Sequence, residues 1–178
     1  SGNKINAIGY SAAEMSSGNT NPNMFGFAAG LGSINNTNTN IIGTSAGRDA
    51  SGLLSTNVMG VGAGAQASGL TRTVAVGTHA ASGAAGLTSA NIIGDHAGSS
   101  ASGSIHVNLI GYYAGANVHE SDYLDAIGYN AAKHASNVQE SLFIGKNAGI
   151  GVQGRFIDAP NYNVAVGHRP MHYSSGNY

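Results

Sequence analysis

Residues 40–56, NIIGTSAGRDASGLLST, run without a gap into residues 57–73, NVMGVGAGAQASGLTRT, and the two align column for column. Both fit N-x-h-G-x-x-A-G-x-x-A-S-G-x-x-x-T, where h is apolar. Outward from this pair the same frame runs along the chain. Its anchor glycine recurs every 17 residues, at Gly9, Gly26, Gly43, Gly60, Gly77, Gly94, Gly111, Gly128 and Gly145. An alanine three residues later is equally regular, from Ala12 to Ala148. A further copy surrounds Gly167, which follows Gly145 by 22 residues instead of 17. The extra residues fall within GRFIDAPNY, whose Pro160 and Asn161 suit a surface loop. The expected organisation is nine regular coils over 1–154, an insertion loop over 155–163 and the start of a truncated tenth coil over 164–178. Because the chain stops inside that copy, it is expected to be a fragment of something longer.

A fixed period of this length marks a stack of like turns. Seventeen residues are too few for a helix pair but fit one coil of a β-solenoid, with short strands, tight turns and each coil hydrogen-bonded to the next. At about 4.8 Å per coil, nine coils make a rod segment on the order of 40 Å. The predicted fold is all-β, a parallel β-solenoid (β-roll) of 17-residue coils. Asparagine opens most copies, as Asn6, Asn23, Asn40, Asn57, Asn91 and Asn108, with Asp125 next; stacked asparagines form an amide ladder along a solenoid.

Composition narrows the function classes. Only 8% of the residues are charged, 28 of 178 are glycine, and the net charge is −1. Such a balance gives no electrostatic case for nucleic acid or an anionic membrane. With no cysteine, neither a disulfide nor a thiolate zinc site can form. No apolar run approaches the roughly 20 residues of a membrane span, and Ser1-Gly2-Asn3 does not open a signal peptide.

Two columns before the anchor glycine decide the assembly. The nearer holds Ile8, Phe25, Ile42, Met59, Val76, Ile93, Ile110, Ile127, Ile144 and Val166, and is expected to face inward. The other holds Ala7, Met24, Ile41, Val58, Ala75, Ile92, Leu109, Ala126, Phe143 and Ala165. Successive strand residues point to opposite faces, so both columns cannot line one narrow core. The second column is therefore expected to form an outward apolar stripe on the axis of a homo-oligomer, a parallel homotrimer being the simplest closed form. The alternative is a monomer whose stripe is covered by a neighbouring segment.

The segments NAIGYSAAEMSSG, NIIGTSAGRDASG and NVAVGHRPMHYSSGNY resemble the A-I-G-x-x-A repeats of trimeric autotransporter adhesin heads, which fold as parallel β-rolls. They are still more similar to the N-x-A-V-G-Y-x-A-G repeats of phage tail fibres and related bacterial surface fibres, which often end in a self-cleaving chaperone domain. The similarity covers nearly the whole chain. It implies a trimeric, extracellular fibre, on a cell surface or a virion tail, without naming its ligand.

No catalytic constellation is expected. Glu120, Asp122 and Asp125 cluster in HESDYLD and could in principle serve as paired carboxylates or hold calcium, but a solvated loop is the expectation. No serine lies in a G-x-S-x-G elbow, and the GxGxxG-like pieces are turn glycines of the repeat. His79 and His96 share one repeat position, with Tyr113 following in the next coil; a hydrogen-bonded surface stripe is expected there and no metal.

Chemical variety gathers late in the chain. Seven of eight tyrosines and all seven histidines fall in the C-terminal 100 residues. The two positions after the anchor glycine carry charges as well as rings, so they face solvent, because an unpaired buried charge costs several kcal/mol, on the order of 3–5. The candidate ligand-binding residues on this turn edge are Tyr112, Tyr113, Tyr129, His79, His96 and Asp95. Rings beside histidine and aspartate suit carbohydrate, offering a surface for a sugar's apolar face and partners for its hydroxyls. Tyr112 and Tyr129 are also expected to stack, lying one coil apart. The expected function is a non-enzymatic adhesive or receptor-binding segment meeting a cell-surface glycan or protein receptor, with no cofactor; a passive fibre shaft is the alternative. Ice binding would need a flat threonine face, and Thr39, Thr56 and Thr73 give way to Ala90, Val107 and Leu124.

Overall fold

The tripeptide ahead of each anchor glycine forms a strand, and the strands stack in chain order. A computed structural model describes residues 4–136, 138–151 and 163–171. Ten strands occur among them: β1 (Asn6–Ile8), β2 (Asn23–Phe25), β3 (Asn40–Ile42), β4 (Asn57–Met59), β5 (Val74–Val76), β6 (Asn91–Ile93), β7 (Val107–Ile110), β8 (Leu124–Ile127), β9 (Ser141–Ile144) and β10 (Asn163–Val166). All pair in parallel as one sheet in the order β1 to β10. Residues 17 apart face each other, Ile41 against Val58 for example. β10 keeps this register after the insertion, with Phe143 opposite Ala165. Isolated parallel bridges such as Ser51–Ser68 and Thr71–Thr88 join the coils elsewhere. The parallel β-solenoid of 17-residue coils is thus the fold. Of the predicted insertion loop, 155–162 lies outside the described residues and Asn163 opens β10; residues 172–178 of the tenth copy also lie outside them.

The anchor glycine is required twice over. Gly60 has φ +136, and a Cβ there would stand 2.3 Å from the carbonyl oxygen of Gly77. After the anchor, positive φ recurs at alternate residues, as at Gly26, Ala28, Gly30 and Gly32. Backbone donors then point alternately down and up the stack. The Ala28 N–H reaches the Tyr10 carbonyl at 2.8 Å, that of Gly30 reaches Ala46 at 2.8 Å, and that of Gly32 reaches Glu14 at 2.9 Å. Each left-handed residue with a Cβ costs about 1–2 kcal/mol, which a ladder bond of about 1 kcal/mol only partly offsets. Glycine and asparagine therefore hold many of these positions.

The two apolar columns face the opposite way from the expectation. Met24, Ile41, Val58, Ala75, Ile92, Leu109, Ala126, Phe143 and Ala165 are at most 3% exposed and form the core, and only Ala7, in the first coil, is exposed. The column expected inside is outside: Ile8, Ile42, Met59, Ile93, Ile110, Ile127 and Val166 are 37–65% exposed. Apart from Ala7, the residues assigned to a trimer interface are therefore protomer core and cannot be that interface.

The cause is a size match across the coil. Where the inward residue is large, the fourth residue after the anchor is glycine: Met24 with Gly30, Ile41 with Gly47, Val58 with Gly64, Ile92 with Gly98, Leu109 with Gly115 and Phe143 with Gly149. Where the inward residue is alanine, alanine answers it, as Ala7 with Ala13, Ala75 with Ala81 and Ala126 with Ala132. A Cβ on Gly30 would lie 2.3 Å from the Met24 sulfur, and one on Gly115 would lie 2.5 Å from Leu109 Cδ2. Opposite Ala165, Met171 packs onto the core. A second exchange keeps the volume steady: Leu53, Leu70 and Leu87 are buried beside Thr56, Thr73 and Ala90, whereas Ser104 and Ser121 accompany Val107 and Leu124.

Thr39, Thr56 and Thr73 are likewise inside, not on a face. The Thr56 hydroxyl donates to the carbonyls of Leu54 and Leu70, both at 3.2 Å. The outward bridge column is Thr20, Thr37, Leu54, Thr71, Thr88 and Ile105, in which exposed Leu54 and Ile105 break any threonine plane.

Candidate functional site

The sheet's outer face is ordered by its columns. Asparagine and aspartate three residues before the anchor form the expected ladder: Asn6 donates to Asn23 at 2.7 Å, Asn23 to Asn40 at 2.7 Å and Asn40 to Asn57 at 2.6 Å. Val74 interrupts it. The ladder resumes from Asn91 to Asn108 at 2.9 Å and from Asn108 to Asp125 at 2.6 Å. A carboxylate only accepts, and it stands where Leu142 succeeds it with no acceptor to feed. Next to the ladder runs the outward apolar column from Ile8 to Val166, and beyond the anchor glycine lies the turn edge.

On that edge the 17-residue period brings the six predicted ligand residues together. His79 meets His96 edge-on with ring centres 4.9 Å apart, and His96 stacks on Tyr113 at 4.7 Å. Tyr113 meets Tyr112 edge-on at 4.6 Å, and Tyr112 stacks on Tyr129 at 5.1 Å. Asp95 contacts the Nδ1 of His96. Two side chains outside the predicted set close the patch: the Lys133 ammonium sits 4.4 Å from the centre of the Tyr113 ring, and that of Lys146 sits 5.7 Å from the Tyr129 ring. Desolvation among these neighbours, then the Tyr113, Tyr129 and Asp95 charges, hold the Tyr112 phenol above its usual value of 10.0. The neighbouring His134 is pushed below 6.5, by burial first and then by Lys133.

On the other side of the apolar column lies a groove of about 650 Å³ that the sequence reading missed. Its walls include His106, Asn108, Tyr123, Asp125, Glu140 and Leu142. The His106 and Tyr123 rings stack at 5.1 Å, 4° from parallel. His106, Tyr123 and Glu140 all lie five residues before an anchor glycine, and that shared spacing is the signal in the sequence that marks them as one column. In HESDYLD, Asp125 ends the amide ladder while Glu120 and Asp122 are exposed. Among the described residues no three His, Cys, Asp or Glu side chains gather as a metal site would require, and no helix is long and apolar enough to cross a membrane. No protein-family model, curated protein or solved structure matches the chain.

Chemically the turn edge is an aromatic ledge. His96 with Tyr113 and Tyr112 with Tyr129 use their faces on each other, so what these pairs project to a ligand is ring edges, phenol hydroxyls and imidazole nitrogens, beside the Asp95 carboxylate and two ammonium groups. It can donate and accept hydrogen bonds along a row spaced by one coil, about 4.8 Å.

Proposed function

We propose that this chain is a non-enzymatic segment of a homotrimeric extracellular fibre, on a cell surface or a virion tail, that attaches to a cell-surface glycan or protein receptor. The observation carrying this proposal is the outward column from Ile8 to Val166 on a rod that already has a complete core of its own. A line of exposed apolar side chains along one face is a surface that expects a cover. The cover has to be equally long and repeat at the same step, and further copies of the chain meet both conditions. Three parallel copies around an axis cover every stripe in a closed group. The axis-facing residues in this assembly are Ile42, Met59, Ile93, Ile110 and Ile127 with their column mates. The resemblance of the repeat to trimeric fibres points the same way.

The ledge supports attachment at the seam between copies. Asp95, Tyr112 and Tyr129 lie beside the apolar column, so a neighbour forms the opposite wall of a groove, with Tyr113, His96 and His79 on its outer lip. Such a row suits a saccharide chain bound through its hydroxyls. A passive shaft is the second proposal, favoured by the 5.1 Å stack of Tyr112 on Tyr129, which spends ring faces within the chain. Glycan-array and cell binding by the wild-type chain and by Tyr113→Ala separates the two. Attachment predicts binding that falls at least tenfold in the variant with its mass unchanged; no binding to any glycan or cell by the wild type leaves only the shaft.

A further inference from the structure

The two edges flanking the apolar column carry charges in a matched pattern. On the edge ahead of the strands stand Arg72 and Glu140, five residues before their anchors, with Asp125 beside them inside β8 at the end of the ladder column; on the edge after the strands stand Asp95, Lys146 and Arg169. Arg72 precedes anchor Gly77 and Asp95 follows Gly94, one coil on. Asp125 precedes Gly128 and Lys146 follows Gly145, again one coil on. Glu140 precedes Gly145 and Arg169 follows Gly167, one coil on once more. The sign on the first edge switches from basic to acidic along the rod, and the sign on the second switches from acidic to basic with it. Lys4, the remaining cation on the first edge, has the exposed ring of Phe27 at the same offset.

Within one chain these partners do not meet. The strand and its apolar column separate the two edges, and among the described residues Arg48 pairs with Asp49 while Asp95 contacts the His96 imidazole. The acidic stretch is also concave, forming the groove of about 650 Å³ whose walls include Asp125 and Glu140.

We infer that neighbouring copies in the fibre lie parallel and in register, the leading edge of one against the trailing edge of the next, paired diagonally one coil apart as Arg72 with Asp95, Asp125 with Lys146 and Glu140 with Arg169. In a ring of parallel copies each leading edge faces a trailing edge, and a single offset satisfies all three pairs. Coils are about 4.8 Å apart, a step that an extended lysine or arginine side chain spans. The apolar column supplies association, and the flanking charges select orientation and register. The inference rests on the proposed trimer, and its test separates the two.

Two double substitutions leave net charge unchanged. Arg72→Glu with Glu140→Arg reverses two positions on the leading edge, and Asp95→Arg with Arg169→Glu reverses two on the trailing edge. Sedimentation equilibrium at low salt reads the association of each, with circular dichroism to verify the fold. Each double variant should associate at least tenfold more weakly than wild type, and the quadruple variant should recover the wild-type constant. The differences should fade near 1 M salt, where the screening length is about 3 Å. In an antiparallel pair Arg72 would meet Glu140 on the same edge, so the swap would change nothing. Unaltered association of either double variant, or no recovery in the quadruple, overturns the register while leaving the trimer standing; a monomeric wild type overturns both.

Discussion

Leu109→Ala and Gly115→Ala, made singly and together, test the size match that sets which column faces inward. Leu109 is 1% exposed and lies under Gly115, whose φ is +62 and whose added Cβ would stand 2.5 Å from Leu109 Cδ2. Truncating Leu109 removes a buried side chain and leaves a cavity, a loss of about 3 kcal/mol. Adding a methyl at Gly115 costs about 1 kcal/mol for the left-handed backbone and about 2 kcal/mol for overpacking. Independent effects would sum to about 6 kcal/mol, yet together the substitutions recreate the Ala75–Ala81 and Ala126–Ala132 pairs, both fully buried. The new methyl enters the space that the leucine left, so the double variant should lose about 3 kcal/mol, a coupling near 3 kcal/mol. Urea unfolding followed by far-ultraviolet circular dichroism measures all four corners, provided the slope m is shared, since a repeat stack can lose cooperativity. Additivity to within about 0.5 kcal/mol would refute the packing described here.

Gly60→Ala, whose Cβ would meet the Gly77 carbonyl oxygen at 2.3 Å, should cost at least about 3 kcal/mol, whereas Gly52→Ala, at φ +64 with its nearest neighbour 3.7 Å away, should cost about 1 kcal/mol in the same urea assay. Asn40→Ala removes the bonds to Asn23 and Asn57 and should cost about 1–2 kcal/mol. Asn40→Asp should be worse in a thermal melt, since it sets a carboxylate against the Asn57 side-chain oxygen, while Asp125→Asn keeps an acceptor for Asn108 and should leave the coil stack intact, losing only the inferred pairing with Lys146 of a neighbouring copy. Because His134 is held below 6.5, its contribution to stability is full above pH 6.5 and is lost as pH falls through its folded value; NMR titration should find that value depressed, and Lys133→Gln should raise it. The raised Tyr112 phenol works in the opposite sense, its contribution present below pH 10 and lost as pH climbs through the folded value, which Asp95→Asn should lower in an ultraviolet titration.

Much of the fold was legible because an unbroken 17-residue period turns sequence columns into spatial ones. The anchor glycine, the Asn40–Asn57 ladder and the Tyr112–Tyr129 stack all follow from placing residues 17 apart one coil apart. Facing was not legible from the strand itself, since Ile41 and Ile42 are both apolar and the pleat says only that they part. The deciding signal lay six residues downstream, in Gly47 under Ile41 and Ala81 under Ala75, a correlation of volumes that a column-by-column reading does not test. Thr56 looked like a surface residue for a related reason: its hydroxyl is satisfied by the Leu70 carbonyl of the next coil, a bond between coils that composition cannot reveal. The groove was not legible because it forms between two columns, that of His106, Tyr123 and Glu140 and that of Asn108, Asp125 and Leu142, and a hollow between columns leaves no mark in either one alone.

The mass of the folded chain in solution tests the central claim most directly. The outward column, exposed at Ile8, Ile42, Met59, Ile93, Ile110, Ile127 and Val166, predicts a particle of three times the 17.7 kDa chain mass in sedimentation equilibrium at micromolar protein, reduced to one chain by Ile93→Asp with Ile110→Asp. A wild-type particle of 17.7 kDa at every concentration, with both columns as described, would contradict it.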